Sequence, residues 1–342
     1  MAPAYRLLPV LLLSWLQGTA SSFKATQLEN KLDPSSPNHQ TVRQNGDQLR
    51  LLLCVTGQQG RLEIESKMKK FVNPHRDNGH IVDIVLVMDD GETKFVNYDA
   101  EEVNPYSHNP VPKDAKLVNF SQPENPEVQL WYVDRLVTVG KDYISRRDRA
   151  MMHVRQLSSV ARCYDEMLKM EEENGEKYDE ILRIRDDGYL LKNVPLLHEI
   201  NSKPGIATCA CDSWRGVNDK GTLFLRKFAK TVLTGPLLAL TQDNESSFSK
   251  DPSINNPETL IYSVFRSTHA SIDTDSNILV LAPIRLHQYH DIEKCLDMMW
   301  FGGCWECRYR SLINQTTVPR CPIRDPRGAK TALKHVKCGE VK

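Results

Sequence analysis

Tyr178-Asp-Glu-Ile-Leu-Arg-Ile-Arg-Asp-Asp-Gly-Tyr-Leu-Leu-Lys-Asn193 is the stretch on which the fold turns. Ile181, Ile184, Tyr189, Leu190 and Leu191 are apolar, β-favouring positions of a buried strand, yet Arg183, Arg185, Asp186 and Asp187 interrupt it. An unpaired charge is costly to bury, so these side chains must neutralise one another or emerge at a strand end that faces a ligand. Gly188 follows the acids and permits a turn or a close backbone approach. The pattern therefore reads as a strand whose C-terminal end offers carboxylate oxygens beside arginines able to fork onto phosphate. A structural ion-pair cluster would have the same composition, and the surrounding chain has to choose between them.

Upstream, Leu49-Arg-Leu-Leu-Leu-Cys-Val55 is a continuous apolar run of strand length, leading into the Gly-containing loop Thr56-Gly-Gln-Gln-Gly-Arg61. A helix from about Leu62 to Phe71 carries Lys67, Lys69 and Lys70 toward its end. Ile81 to Met88 is a second buried strand, closed by Asp89-Asp-Gly91 turn chemistry, and Val128 to Val133 reads as a third. Between about Arg146 and Asn174, Met151, Val154, Leu157, Val160, Ala161, Tyr164 and Leu168 recur at helical spacing, and Gly175 stops the helix. After the charged stretch, the segment Ala207 to Thr222 is a loop, followed by an apolar helix through Leu238. Asp212, Trp214, Asn218 and Asp219 stand at that helix entry, where Asn and Asp commonly cap. Pro257 to Val264 is a helix with Glu258 in its first turn, and Ile278 to Ala282 is the last strand.

Strand, helix, strand in this order predicts an α/β fold with a mostly parallel central sheet and flanking helices. In such sheets ligands sit beyond the C-terminal ends of the strands, where both Thr56-Gly57 and Asp186-Asp187 fall. That coincidence favours a site over a bare ion-pair cluster.

The termini and the charge balance set the class. Arg6, the apolar run Leu7 to Leu16 and the small residues Gly18 to Ser22 read as a cleaved signal peptide at 1–22, too short to span a bilayer. No later segment approaches the length of a membrane helix, so the mature chain is expected to carry no transmembrane span. Residues 23–47 are a polar, flexible leader. Nine cysteines and the sequons at Asn119, Asn244 and Asn314 fit the secretory pathway, either the Golgi or ER lumen or the exterior. Five of the cysteines lie after residue 290, which predicts a disulfide-stapled extension at 286–342 behind a domain at 48–285. Cys209 and Cys211 cannot easily bridge one another across one residue, so their partners are expected elsewhere. The 44 Lys and Arg balance 44 Asp and Glu, which argues against a nucleic-acid partner held by a basic field. Neither a Gly-x-Ser-x-Gly elbow nor a His-Glu-x-x-His helix is present, and scattered histidines such as His153 read as packing or surface residues.

Thr56 to Arg61, Tyr178 to Asp187, and Trp214-Arg-Gly-Val-Asn-Asp219, in this order, resemble a group of eukaryotic proteins similar to nucleotide-sugar glycosyltransferases of the GT-A fold. The resemblance covers about residues 48 to 285. It implies transfer of a hexose from a nucleotide-diphosphate donor to a hydroxyl of a glycan, protein or lipid acceptor. Asp187, with Asp186 as alternate, would hold Mn²⁺ or Mg²⁺ against the diphosphate. Thr56, Gly57, Arg61, Arg183 and Arg185 would bind the donor, with Trp214 and Asn218 near them. Asp219, with Asp212 and Glu258, supplies carboxylates for the acceptor side, where an inverting enzyme deprotonates the attacking hydroxyl. The sequence departs from the family by placing two acids side by side, which strand alternation would send to opposite faces. The alternative reading is a secreted, non-catalytic carbohydrate- or nucleotide-sugar-binding protein on the same fold.

Overall fold

The computed structural model describes residues 48–89, 95–96, 102–103, 111–137, 142–211, 213–242, 247–274, 278–288 and 294–298. The expected signal peptide, leader and Asp212, the sequons at Asn244 and Asn314, and most of the Cys-rich extension lie outside the described residues.

The strands are β1 (Arg50–Gln58), β2 (Ile81–Asp89), β3 (Phe95–Val96), β4 (Glu102–Val103), β5 (Ala115–Phe120), β6 (Glu180–Arg185), β7 (Gly188–Leu190), β8 (Ile206–Thr208), β9 (Gly221–Leu225), β10 (Ile272–Asp273), β11 (Leu281–Gln288) and β12 (Lys294–Met298). Seven of them form one mixed sheet in the order β10-β8-β9-β6-β1-β2-β5. Every pair in it is parallel except those made by β9, which runs against both β6 and β8. Two smaller antiparallel sheets, β12-β11-β7 and β3-β4, complete the strands. The chain builds outward from β1 through β2 to β5, then returns to place β6 on the other side of β1. The order thus reverses between β1 and β6, whose C-terminal ends flank the crevice where open α/β sheets bind ligands.

Alternation along β1 sends Leu51, Leu53 and Val55 to one core and Leu52 and Cys54 to the other. The first core packs Phe71 and Val72 of the helical segment formed by α1 (Glu65–Lys67), a π turn (Met68–Val72) and α2 (Asn73–Asp77). The second packs α4 (Tyr143–Asn174) and α7 (Pro257–Arg266) through Val154, Leu157, Val160, Leu260 and Val264. Asp142 caps α4 by accepting from Ser145 N at 2.8 Å, and Gly175 ends it at φ 70°. A disulfide from Cys54 in β1 to Cys163 in α4, with Cα atoms 6.2 Å apart, ties this helix to the sheet. Cys211 is also disulfide-bonded, to a cysteine outside the described side chains.

Several local expectations change. Val128 to Val133 is not a strand; Leu130–Arg135 forms the short helix α3, with Gln129 N anchored to Leu240 O at 2.9 Å in α5 (Ala229–Thr241). A six-residue apolar run carries too little periodicity to separate the two states. The helix expected after Thr222 begins later, because Gly221–Leu225 is the antiparallel strand β9. Buried on both faces, β9 reads as one apolar run with the helix behind it. Residues 213–220 accordingly lead into a strand and cap no helix. The strand expected at Ile278 to Ala282 lies at Leu281–Gln288, with β12 after it, and Asn119 is exposed in the edge strand β5. The small helix α6 (Ser247–Lys250) precedes α7, and no helix among the described residues is long and apolar enough to cross a membrane.

Candidate functional site

The turn between β6 and β7 carries the two adjacent acids to opposite sides of the sheet. Asp186 is fully buried on the α1 side, where it accepts from Gln58 N at 2.9 Å and from Arg61 Nε and Nη2 at 2.9 and 3.1 Å. Its own N–H donates to Thr56 O at 2.9 Å, locking the turn to the end of β1. Gly57, at φ +144°, faces this carboxylate so closely that a Cβ would lie 2.2 Å from Asp186 Cγ. Glycine is therefore required there twice over, by conformation and by space.

Below the turn is a buried polar support. Lys67, fully buried, donates to Gly188 O at 2.6 Å, Asp186 O at 3.3 Å, Glu63 Oε2 at 3.2 Å and Glu63 O. Glu63 also accepts from Ser66 N at 2.8 Å, and Ser66 Oγ accepts from Leu190 N at 3.0 Å. A buried ammonium requires such a cage of oxygens. Here the cage is made of the carbonyls of the Asp186–Gly188 turn, so the ion pair fixes the turn's backbone.

On the α4 side the alternation of β6 sets Arg183 opposite Cys54 and Arg185 opposite Thr56. Arg183 donates to Thr56 Oγ1 at 3.0 Å and to Asp219 O. Arg185 donates to Asp187 Oδ2 at 2.9 Å and lies 3.5 Å from Asp219 Oδ2. Lys220 Nζ donates to Asp219 Oδ1 at 3.1 Å, and Gln156 Nε2 of α4 donates to Asp219 Oδ2 at 2.9 Å. Burial lowers the Arg183 guanidinium to about 10 against the opposing pull of Asp219. Burial acts the same way on Arg185, but Asp187 and Asp219 outweigh it and raise the group. For Asp219, burial works toward the neutral acid, yet Lys220, Arg185 and the Gln156 hydrogen bond hold it well below the usual carboxylate range. Asp186 is matched by Arg61, while Arg183, Arg185 and Lys220 gather with Asp187 and Asp219.

The Trp214–Asp219 motif forms the loop beside this cluster. Asn218 is buried and spends its amide within the loop, donating to Cys211 O at 2.6 Å and accepting from Lys220 N at 2.8 Å. Gly216 packs on the start of α7, where Val217 N donates to Glu258 O at 3.2 Å. Underneath, the Tyr132 hydroxyl and His153 Nδ1 lie 3.0 Å apart. Burial and the charge of Glu258 push the Tyr132 hydroxyl well above the phenol range. Burial, reinforced by Arg149 and opposed by Asp219, lowers His153 to about 4. Glu258 thus acts on Tyr132, and Asp219 on His153.

Among the expected site residues, the fold brings Thr56, Arg183, Arg185, Asp187 and Asp219 into one cluster. It sets Gly57, Arg61 and Asp186 on the opposite face as a clamp. Trp214 is bonded to the start of α7, not to β1, through Asn256 Nδ2 donating to Trp214 O at 3.2 Å. Lys67, Gln156, Tyr132 and His153 did not stand out in the sequence. Arg149, Met152, His153 and Gln156 do lie at helical spacing along one stripe of α4, a signal masked by the stronger apolar face beside it.

A chemical test of the expected metal follows from these contacts. Both Asp186 oxygens are already met by Arg61 and Gln58 N, so Asp186 does not fit as a ligand. Asp187, at the crevice end of β6 with Arg185 on one oxygen, fits a single-carboxylate role in which diphosphate and water complete the shell. No group of three or more His, Cys, Asp or Glu side chains is arranged to hold a metal among the described residues. The chain matches no protein-family model and no curated protein sequence.

Proposed function

We propose that the protein is a glycosyltransferase of the GT-A type, taking a sugar from a nucleotide-diphosphate donor to a hydroxyl of a glycan, protein or lipid within the secretory pathway. The observation that carries this reading is the convergence of Thr56, Arg183, Arg185, Asp187, Asp219 and Lys220 at the ends of β1 and β6, where the strand order reverses. A crevice at that point lined by two arginines and a lysine suits a diphosphate, and Arg185 is less deeply buried than Arg183. The mixed seven-stranded sheet with helices on both faces supports the same assignment.

In this reading Arg185 and Arg183 stabilise the negative charge that grows on the leaving diphosphate. Asp219 is too firmly held as a carboxylate to be an effective base, and its work is to position Arg185 and Lys220. The proton of the attacking hydroxyl passes to Glu258, in the first turn of α7, as the acceptor oxygen bonds to the anomeric carbon and the bond to diphosphate breaks. Mn²⁺ or Mg²⁺ held by Asp187 would supply Lewis-acid neutralisation of the diphosphate.

A thermal-shift series with UDP, GDP and CMP, each with and without Mn²⁺, tests the reading. Saturating nucleotide at about a hundred times its Kd stabilises the fold by about 2.7 kcal/mol. One nucleotide should raise the melting temperature with Mn²⁺ and lose that effect in Asp187→Ala; no response to any of them refutes the proposal. A non-catalytic binding protein draws support from Asp186 and Asp219 being engaged within the protein. It predicts nucleotide binding without any release of sugar.

A further inference from the structure

The central sheet has an open edge at β5. That strand ends the order β10-β8-β9-β6-β1-β2-β5, and among the described residues it pairs with β2 alone. An edge of this kind turns unpaired N–H and C=O groups to solvent, a template on which another chain can add a strand. Natural edges are guarded by charges, prolines, bulges or extreme shortness. Ala115-Lys-Leu-Val-Asn-Phe120 has no proline and runs in unbroken register with β2, from Ile84 opposite Ala115 to Asp89 opposite Phe120. Its one charge, Lys116, is spent on Glu166 and Glu173 of α4, at 3.3 and 3.7 Å. An apolar edge strand of this length without a guard invites aggregation.

Alternation divides the strand between two faces. Lys116, Val118 and Phe120 turn to the α4 side, where Val118 and Phe120 pack against the second core. Leu117 and Asn119 turn the other way, and both are exposed, Leu117 by 41%. Their partners in β2, Leu86 and Met88, are buried in the first core. The cover over that core therefore gives out between β2 and Leu117. At this point stands Asn119-Phe-Ser121, the Asn-x-Ser sequence that accepts an oligosaccharide. The Asn119 carboxamide makes no hydrogen bond among the described residues, so the fold has no other use for it. Asparagine is also a poor strand former, and strand propensity does not explain its place in β5.

We infer that Asn119 carries an N-linked oligosaccharide and that this glycan guards the β5 edge, an inference that rests on the secretory-pathway part of the proposed function. In the transfer, Asn119 Nδ2 bonds to the anomeric carbon of a lipid-diphosphate-linked oligosaccharide. The bond from that carbon to the diphosphate oxygen breaks, lipid diphosphate leaves, and one amide proton passes to a base of the transferring enzyme. The chain is modified while still unfolded, so the fold has only to leave room for the product, and an exposed residue on an edge strand does so. Residues two apart on one face lie about 7 Å from each other, which brings the first sugar over Leu117. An added strand would have to settle about 4.8 Å from β5, ground that a bulky, hydrated oligosaccharide occupies.

The test expresses the full chain in cells that perform N-glycosylation and recovers it from medium, lumen and cytosol. Enzymatic release of the glycans in heavy-oxygen water marks each formerly glycosylated asparagine as a labelled aspartate, read by peptide mass spectrometry. The Asn119 peptide should be labelled. Asn119→Gln, and native protein deglycosylated after folding, should both elute as larger species on size-exclusion chromatography than the glycosylated chain. Adding Leu117→Lys to Asn119→Gln puts a charge on the same edge and should restore the native elution. An unlabelled Asn119 in chain taken from lumen or medium overturns the site and leaves the secretory reading standing. Chain confined to the cytosol with Asn119, Asn244 and Asn314 all unlabelled overturns the secretory reading and the site together. A labelled Asn119 whose loss by either route leaves the elution unchanged overturns its role as guard.

Discussion

Replacing His153 with glutamine should flatten the loss of stability on acidification. His153 is buried against Tyr132, with Arg149 disfavouring its protonation and Asp219 favouring it, and it titrates near 4 in the folded chain against an ordinary 6.5. Because the folded value is lowered, the unfolded chain takes up a proton first as pH falls. The contribution is therefore present above 6.5, shrinks steadily below it, and is exhausted near 4. The difference of roughly 2.5 pH units, at about 1.36 kcal/mol each, amounts to roughly 3.4 kcal/mol. Asp219 stays ionised in the fold across this window, and the slope it adds as the unfolded chain nears pH 4 is common to both proteins and cancels in their difference. Glutamine keeps a polar group for the Tyr132 hydroxyl but does not titrate. Urea unfolding at pH 7, 6, 5 and 4 should show the native protein losing about 3 kcal/mol more than His153→Gln. Parallel stability curves for the two proteins would mean that His153 does not stay neutral in the fold, and the electrostatic account of this side of the site would fall.

Gly57→Ala should lower stability by about 2–4 kcal/mol and abolish the nucleotide response, since the added methyl meets Asp186 and the backbone is left-handed; a native-like melting temperature would disprove the clamp. Lys67→Met leaves Glu63 buried without its cation and should cost about 3–5 kcal/mol, a large part of it recovered in the double variant Lys67→Met, Glu63→Gln; additive losses would refute the pairing. Removing the Cys54–Cys163 link, which closes 109 residues of sequence, with paired alanines should cost about 2–5 kcal/mol, and the native protein and the variant should melt together once both are in reductant.

Much of the fold was legible because local chemistry and the final structure agree. The runs at Leu49 to Val55 and Ile81 to Met88 become β1 and β2, buried on both faces, and Asp142 and Gly175 bound α4 by capping. Where a segment's state depends on its neighbours, the reading failed. Gly221–Leu225 extends between β6 and β8, which lie on either side of it, and Leu130–Arg135 coils with Tyr132 and Val133 buried in the core that α4 and α5 share.

The divergence of Asp186 and Asp187 matches what strand alternation suggests, but it is made by the turn between β6 and β7. The position of the charges at the end of β6 follows from the sequence alone. Which cation meets which acid does not. Arg61 reaches Asp186 across 125 residues, Lys67 reaches Gly188 across 121 and Gln156 reaches Asp219 across 63, and each contact exists only after separate elements have packed. Those pairings decide the chemistry, converting Asp186 into a clamp and Asp219 into a fixed anion, because a buried charge takes its properties from the partners that folding assembles around it.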